Sequence, residues 1–506
     1  MNWKLIIRIL GNLLYIEAGL LAICLILGLC YQECYLPFVW PVVISIVLGT
    51  VGQLIGRNAA ANMSRKDGYV VVSFVWVIFA LIGMLPFIFS GAIPDVAGAF
   101  FESMSGFTST GATVIDNCDA QAHSILMWRS LSQWIGGIGI VFFTIAILPA
   151  FGVGEVKLFA VEATGPMHDK VHPRISITAR WIGTIYLLLT VLCIGSLYIC
   201  GMSFFDAVNY AFVTTGTGGF GTHSALLHEV YNSPAIEYVL IVFMFVSGIN
   251  YTLIYYSLLK GRISRIWRDA ELRCYCIIVI GAVLACTIIL ALHRIAPSEL
   301  DFSSLGNFFG SVELALRESL FTVISLQTTT GLATCDYTTW PVMLMPILLF
   351  VMFAGACSGS TSGGFKCIRW SIIFRVTRNE IQHILHPRAV LPLRMNGNII
   401  PTPIVRTMLA FVALFAGSLL LGAFVLAVFG VSPTVENQNF DYYDALGLAM
   451  SSLSNVGPGM GYYGPVHSWA ILSPFAKIIC STLMLIGRLE IFPILLLCTR
   501  SFWKKQ

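Results

Sequence analysis

The sequence predicts an all-α polytopic membrane protein, built as four tandem pseudo-repeats with two extra N-terminal transmembrane helices. Three observations predict this class. The 506 residues are 57% hydrophobic and 11% charged, with a mean hydropathy of +0.84, whereas about 25% of the residues of soluble domains are charged. The apolar residues fall into stretches long enough to cross a bilayer. Four connections between these stretches contain a similar glycine-rich turn.

Ten apolar stretches reach the length of about twenty residues that a transmembrane helix needs. They cover residues 5–30, 36–56, 69–91, 123–150, 177–200, 234–259, 271–293, 339–375, 402–429 and 467–499. The eighth stretch is broken in its middle by small residues. The connections are too short to hold a soluble domain. The composition also excludes a secreted disulfide scaffold, a disordered chain and a nucleic-acid-binding protein.

The distribution of lysine and arginine predicts that both termini are cytoplasmic. With ten spans, the basic connections after the second, sixth, eighth and tenth stretches all fall on one side of the membrane. The opposite connections carry aspartate and glutamate with few cations. An acidic outer face raises the local concentration of cations.

Four outer connections contain a half-length apolar segment followed by a polar turn. The segments are 97–107, 204–213, 312–326 and 440–453. An acid lies thirteen residues before the turn glycine in three of them (Asp206, Glu318 and Asp444), and Asp95 lies near the start of the first. A carboxylate at the start of a short helix complements its N-terminal dipole. Helices too short to cross are tolerated where they line a protein-buried or water-filled path.

The turns carry backbone and hydroxyl oxygens but no carboxylate. They are Ser109, Thr110, Gly111 and Ala112; Thr217, Gly218, Gly219 and Phe220; Thr329, Thr330, Gly331 and Leu332; and Asn455, Val456, Gly457 and Pro458. Converging carbonyls can replace the water shell of an alkali cation. Glycine allows the backbone to leave the usual conformations and approach the ion. The pattern therefore predicts a neutral site for a monovalent cation on the axis of a central pore.

On these turns and the spans around them, nearly the whole chain resembles the Trk-type subunits of the Trk/Ktr/HKT potassium transporter superfamily. The resemblance implies four span–pore helix–filter–span repeats around one central pore, with K⁺ as the transported ion at the sixteen turn residues. It also implies that glycine at Gly111 favours potassium over sodium. The expected units are residues 1–66 for the extra helices, and 67–170, 171–268, 269–395 and 396–506 for the four pore repeats.

The resemblance also implies partners and a location. Members of this superfamily form homodimers, each protomer with its own pore, and couple to cytosolic nucleotide-binding regulatory subunits of the RCK type. The basic inner segments 260–273 and 369–406 are the expected docking surfaces. The expected location is the bacterial cytoplasmic (inner) membrane, in contact with membrane lipid. No nucleic acid is expected as a partner.

The eighth stretch contains ten consecutive small residues, 355–364, which hold a helix poorly because glycine costs about 1 kcal/mol relative to alanine. An unwound loop is therefore predicted rather than close helix packing. In the resembling superfamily this segment is an intramembrane gating loop below the filter. The predicted gate residues are Gly355, Ser358, Gly359, Ser360, Thr361, Ser362, Gly363, Gly364 and Arg488.

Arg488 lies deep in the last stretch, where burying its charge costs roughly 2.5–3.5 kcal/mol on insertion scales. It is expected to face the pore, repel cations and act with the loop as a gate, which is the role the resemblance implies. The alternative is an ion pair with a neighbouring helix. Glu490 lies two residues further on and points elsewhere on a continuous helix, so it is expected to be a poor partner for Arg488.

The predicted function is potassium uptake driven by the membrane potential, with no enzymatic activity and no cofactor in this chain. The G-x-G-x-x-G pattern at 216–221 follows an apolar half-helix rather than a strand, so no dinucleotide site is predicted. One alternative is a proton- or sodium-coupled potassium symporter on the same fold. A second is a membrane-embedded enzyme or scaffold that moves no ion.

Overall fold

A computed structural model describes residues 1–60, 63–139, 175–258, 261, 267–294, 305–389, 391–430 and 440–504. The N-terminal part contains six helices: α1 (Trp3–Cys30), α2 (Leu36–Gly56), α3 (Arg65–Gly83), α4 (Leu85–Ser90), α5 (Val96–Phe107) and α6 (His123–Ile138). Six more follow in the described middle part: α7 (Ile175–Ile199), α8 (Phe204–Thr215), α9 (Leu227–Tyr231), α10 (Pro234–Ser247), α11 (Tyr251–Leu258) and α12 (Ala270–Arg294).

The C-terminal part continues the helical architecture. Its helices are α13 (Leu305–Gln327), α14 (Met345–Ala354), α15 (Cys367–Leu385), α16 (Thr402–Phe429), α17 (Tyr442–Ser454), α18 (Pro474–Arg488), α19 (Phe492–Cys498) and α20 (Arg500–Trp503). Short 3₁₀ turns cover Tyr337–Thr339, Val342–Leu344 and Gly461–Tyr463. One antiparallel pair, β1 (Arg394–Met395) with β2 (Asn398–Ile399), lies between α15 and α16.

The protein is an all-α membrane protein. Six helices of the described chain are long and apolar enough to cross a bilayer, and eight spans result if two bent helix pairs are each counted as one. Large apolar side chains cover their outward faces; Ile277 is 70% and Leu421 is 65% exposed. Lipid, rather than water, solvates such a surface at low cost.

The two N-terminal helices form a hairpin. α1 packs along α2 and also contacts α3 and α6. Small residues bring the two backbones together, since a Cβ on Gly49 would lie 2.9 Å from the carbonyl oxygen of Gly11. Close backbone approach through small residues is typical of helix pairs in membranes.

Two stretches predicted as single spans each form two helices with a sharp bend between them. Stretch 234–259 forms α10 and α11, which meet at 99°, and stretch 467–499 contains α18 and α19, which meet at 115°. The apolar composition continues through both breaks, so it carries no signal of them. The predicted interruption of the eighth stretch is confirmed, because α14 and α15 are separated by residues 355–366.

Some sequence predictions fall on residues outside the described part of the chain. They are the second half of stretch 123–150, the repeat boundary at 170/171 and most of the basic connection 260–266. The described half of stretch 123–150 is α6.

Four helices, α5, α8, α13 and α17, come together in the interior. Asp95 caps α5, and Asp206 and Asp444 lie in the first turns of α8 and α17, as predicted. The prediction for Glu318 is wrong. α13 begins at Leu305, so Glu318 lies in its middle, where its carboxylate pairs with Arg294 at 2.6 Å.

Candidate functional site

The four interior helices end in the same hydrogen-bonded turn. After α5, the N–H of Ser109 donates to the carbonyl of Gly106 (2.9 Å) and the N–H of Thr110 donates to that of Ser105 (2.8 Å). The other three helices repeat both bonds at equivalent positions, with N···O distances of 2.8 to 3.3 Å. These two bonds define a Schellman ending. The chain therefore leaves all four helices along the same path.

Each turn contains two residues in the left-handed region, two positions apart. The first is Ser109, Thr217, Thr329 or Asn455, with φ of 50–56°, and the second is a glycine with φ of 77–107°. Glycine usually occupies the first position of a Schellman ending. A β-branched threonine there is an outlier that the surrounding structure must stabilise.

Contacts of the side chains hold these strained residues. The hydroxyl of Ser109 donates to the backbone of α6 at 3.1 Å. The hydroxyl of Thr329 accepts a hydrogen bond from the N–H of Gly363 at 2.7 Å. The amide of Asn455 donates to the hydroxyl of Thr110 at 2.9 Å. The turns are thus fixed by neighbouring elements and by one another.

The four glycines of the turns form a closed circle, which we call the glycine ring. A Cβ built on each would lie closer than 3.0 Å to the carbonyl oxygen that precedes the next ring glycine. The pairs, in order around the ring, are Gly111 with Gly218, Gly219 with Thr330, Gly331 with Val456, and Gly457 with Thr110. The last pair is the widest, at 2.7 Å. Any side chain larger than hydrogen would push these carbonyls apart.

The sixteen turn residues predicted as ion-binding lie together in and beside this ring. They are buried, apart from partial exposure of Gly111, Gly219 and Pro458. A cavity of about 140 Å³ borders all four ring glycines. Most of its other lining residues lie in segments that follow the turns, and they include Asp116 and His223. The cavity therefore lies on the side of the ring that faces the segments following the turns.

The loop 355–366 lies on the other side, against the ends of the interior helices. The hydroxyl of Thr361 donates to the carbonyl of Thr215 at the end of α8 (3.0 Å). A Cβ on Gly363 would collide with the carbonyl of Ser454 at the end of α17. Together with the bond from Gly363 to Thr329, these contacts join the loop to three of the four turns.

The loop also contacts the bend between α10 and α11. The carbonyl of Gly248 accepts a hydrogen bond from the N–H of Cys357 (3.0 Å), and the carbonyl of Gly359 accepts one from the N–H of Tyr251 (3.1 Å). A break in a transmembrane helix frees backbone groups that need partners. The loop supplies these partners, which explains how the bend is tolerated.

Arg488 connects the loop to α6, the helix that follows the first turn. Its guanidinium donates to the carbonyl of Thr361 in the loop (3.0 Å) and to the carbonyls of Gly136 and Gly137 in α6, the latter at 3.0 Å. Its charge is therefore directed at backbone dipoles beneath the ring.

Glu490 contacts the C-terminal end of the same loop. Its carboxylate contacts Lys366 (3.5 Å) and Arg369, and both pairs are largely buried. Glu490 and Ile491 form the break between α18 and α19 with φ of 53° and 66°. A β-branched residue in this region is strained. One short turn thus presents Arg488 to the middle of the loop and Glu490 to its end.

Within the described residues, no group of three or more His, Cys, Asp or Glu side chains is placed to hold a metal ion. The oxygens that converge at the ring are those of the backbone and of hydroxyl groups. Such neutral oxygens suit a weakly held monovalent cation better than a tightly held divalent one.

The chain matches the family of TrkH cation transport proteins over residues 38–505. It belongs to the TrkH family. The Trk system potassium uptake protein TrkH of Salmonella typhimurium is 34% identical over 510 residues, covering all of both chains. The TrkG protein of Escherichia coli K12, also of a Trk system, is 31% identical over 483 residues, covering 95% of this chain and 94% of the relative. The crystal structure of the potassium transporter TrkH from Vibrio parahaemolyticus superposes with a TM-score of 0.85 at 31% identity over all of both chains.

Sequence reasoning missed a buried ion pair that joins two turns of this TrkH-family chain. Arg129 of α6 and Glu102 of α5 lie 2.9 Å apart and are 1% and 0% exposed. Glu102 also accepts a hydrogen bond from the N–H of Val114, after the first turn (2.9 Å). Arg129 donates to the carbonyl of Gly221, after the second turn (3.0 Å). The sequence did contain a signal for this pair, because Glu102 and Arg129 are opposite charges inside segments predicted to be apolar.

We expect Arg129→Met to lower the free energy of unfolding by about 3–5 kcal/mol, because Glu102 is left as an uncompensated buried charge. Adding Glu102→Leu removes that charge and should recover most of the loss. Thermal unfolding in detergent of the wild type and both variants measures this. A double variant no more stable than Arg129→Met would contradict the explanation.

A second polar cluster lies beside the residues that follow the second turn. The Nδ1 of His223 lies 2.6 Å from Asp119, and its Nε2 lies 3.7 Å from Asp206. Asp206 also accepts a hydrogen bond from the hydroxyl of Thr222 (2.8 Å). The Asp206 carboxylate, aided by Asp119, outweighs partial burial and raises the pKa of His223 to about 9.

This raised pKa makes stability depend on pH in a defined direction. The folded state favours imidazolium, so the stabilisation is complete below the ordinary pKa of 6.5 and is lost as pH rises towards about 9. We expect His223→Gln to flatten the fall in Tm over this window. Melting curves at both ends test it, with His386→Gln, at an exposed position after α15, as the control. An unchanged slope in His223→Gln would refute the assignment.

Proposed function

We propose that this TrkH-family chain takes up potassium through the glycine ring, as a transporter rather than an enzyme. The observation that carries the proposal is the closure of the ring. The four turns share the same hydrogen-bonding pattern. Each ring glycine lies against the carbonyl of the residue that precedes the next ring glycine, and the four contacts close the ring. The relatives from Salmonella typhimurium and Escherichia coli are potassium uptake proteins, which supports the same ion.

The chemistry of the ring fits an alkali cation. Carbonyl oxygens replace the hydration shell, and the hydroxyls of Thr110 and Thr330 add oxygens beside it. The absence of a carboxylate among the sixteen turn residues keeps binding weak enough for the ion to leave. Glycine at Gly111, together with the three other ring glycines, leaves the path open. Inward movement follows the membrane potential, at about 2.3 kcal/mol per charge per 100 mV.

The loop 355–364 and Arg488 form the gate in this proposal. The loop lies across the inner side of the ring, and Arg488 donates to Thr361 in the middle of that loop. A guanidinium beneath the ring repels an arriving cation. Opening therefore requires that Thr361 and Arg488 separate or move aside together.

The proposed organisation follows the predicted units. Four repeats, 67–170, 171–268, 269–395 and 396–506, surround one pore, and residues 1–66 add two helices at its edge. The chain lies in the bacterial inner membrane with both termini cytoplasmic. It forms a homodimer and binds an RCK-type nucleotide-binding subunit through its basic inner segments, and the transported ion needs no cofactor in this chain.

Rubidium uptake into proteoliposomes that contain only this chain tests the proposal. With an inside-negative potential, we expect labelled rubidium to enter and external potassium, but not sodium, to suppress it. The Arg488→Ala variant is measured alongside, because a closed gate would silence the wild type. Absence of uptake in both would overturn the proposal.

One observation favours a coupled symporter as the second candidate. Glu17 in α1 is fully buried, and neither of its carboxyl oxygens has a hydrogen-bond partner within the described part of the chain. A membrane-embedded carboxyl of this kind can carry a proton. If so, a pH gradient without a potential should drive rubidium uptake, and Glu17→Gln should abolish that component alone. A rate of rubidium uptake that does not depend on the pH gradient would contradict the symporter.

A further inference from the structure

The turns of the glycine ring are stabilised from within in the first and third units. The hydroxyls of Thr108 and Thr110 lie 2.7 Å apart. Those of Thr328 and Thr330 lie 2.8 Å apart at the equivalent positions. In both turns, one hydroxyl also bonds to the preceding helix. Each of these turns therefore carries its own polar support.

The second turn lacks both threonines. Gly216 and Gly218 occupy the two positions. The space is filled by Gln133 from α6, a residue of the neighbouring unit with no exposed surface. A Cβ on Gly218 would overlap the Gln133 side chain, and one on Gly216 would lie 2.8 Å from the Gln133 carbonyl. The two extra glycines are thus required by the approach of Gln133.

The amide of Gln133 makes two hydrogen bonds that bracket the ring glycine Gly219. Its Nε2 donates to the carbonyl of Gly218 at 2.8 Å, and its Oε1 accepts from the N–H of Phe220 at 3.0 Å. The carbonyl of Gly218 is the ring oxygen that faces Gly111. Both peptide groups next to Gly219 are therefore fixed in orientation by one side chain.

Gln133 also contacts the first turn. Its backbone carbonyl accepts the hydroxyl hydrogen bond of Ser109, the left-handed residue of that turn, at 3.1 Å. The residue consequently spans the junction between the first and second turns, through its main chain on one side and its side chain on the other. A shift of Gln133 would alter the distance between Gly111 and the carbonyl of Gly218.

We propose that Gln133 is a positioning residue that determines the ion selectivity of the ring. The inference rests on the proposed function, since it concerns the same carbonyls. A carbonyl held by an amide donor keeps its direction when the ion arrives, and it shares its lone pairs with that donor. The size of the oxygen cage and the field at the ion are then set in part by Gln133. A smaller sodium ion needs a cage that contracts, which this bond opposes.

Two substitutions remove the hydrogen bonds of the Gln133 amide in different ways. Gln133→Met keeps the length of the side chain without hydrogen bonding, and Gln133→Asn keeps an amide that is one methylene too short. The matched control is Gln53→Met, because Gln53 also donates to a backbone carbonyl, that of Arg8 (3.3 Å), but between α1 and α2. The readout is the ratio of sodium to potassium concentrations that halve rubidium uptake in proteoliposomes.

We expect sodium to become a competitor in both Gln133 variants, with the ratio falling roughly tenfold, while Gln53→Met keeps the wild-type ratio. Folding is checked by size exclusion and melting temperature. A wild-type ratio in either folded Gln133 variant would overturn the proposal. So would a uniform loss of all uptake, or misfolding of both variants, since each indicates a packing role only. Absence of uptake in the wild type and in Arg488→Ala would instead contradict the proposed function itself.

Discussion

Gly219→Ala is expected to lower rubidium uptake in proteoliposomes at least tenfold. Gly219 has φ of 84°, and a Cβ there would meet the carbonyl of Thr330 well inside 3.0 Å. The ring must then open, and its oxygens no longer replace the water shell of the ion. A rise of only about 1.4 kcal/mol in the barrier to ion passage lowers the rate tenfold. We therefore expect uptake to fall at least tenfold.

Gly201→Ala separates this effect from backbone strain. Gly201 belongs to the same unit and has φ of 97°, but nothing lies within 4 Å of the position of its Cβ. Both substitutions force alanine into the left-handed region, which costs about 1–2 kcal/mol. We expect Gly201→Ala to have a slightly lower melting temperature and the uptake rate of the wild type. Equal losses of uptake in the two variants would refute the role of the ring contact.

Arg488→Ala is expected to raise basal uptake by this chain alone, by roughly tenfold, a change that about 1.4 kcal/mol of barrier accounts for. The substitution removes a positive charge beneath the ring. It also removes the hydrogen bonds that join Thr361 in the loop to Gly136 and Gly137 in α6. The loop then loses its connection to that unit and yields more readily. Initial rates of rubidium entry at a fixed potential measure the effect.

Arg375→Ala is the matched control for Arg488→Ala. Arg375 also donates to a backbone carbonyl, that of Arg394, but at a partly exposed position on α15. We expect its basal uptake to equal that of the wild type. Unchanged uptake in Arg488→Ala would show that the guanidinium has a structural role and that the gate lies elsewhere.

Much of the fold could be predicted because composition and spacing report it directly. Long apolar stretches gave the helices that cross the bilayer, and the run of small residues at 355–364 gave the interruption between α14 and α15. The bends near Gly248 and Glu490 could not be predicted. Their sequences remain apolar, and both breaks depend on contacts with a loop that is distant in the chain.

The candidate site was predictable where one turn carries the whole signal. The four ring glycines stand at recurrent spacing, and the structure brings them together. Glu318 was placed wrongly because the helix extends beyond the apolar segment that suggested its start. Glu490 was judged by the geometry of a continuous helix, which its φ of 53° interrupts. The role of Gln133 could not be predicted, because a single glutamine in an apolar stretch does not indicate which turn it contacts.

The glycine ring is assembled from four stretches of one polypeptide that differ in sequence. In an assembly of four identical subunits, one change of codon alters every position of the ring at once. Here it alters a quarter of the ring and leaves three quarters as they were. In the proposed pore, the field at the ion can therefore be adjusted in small, separate steps. The second turn, which is held by Gln133 instead of by threonines of its own, shows how far one quarter can differ while the ring stays closed.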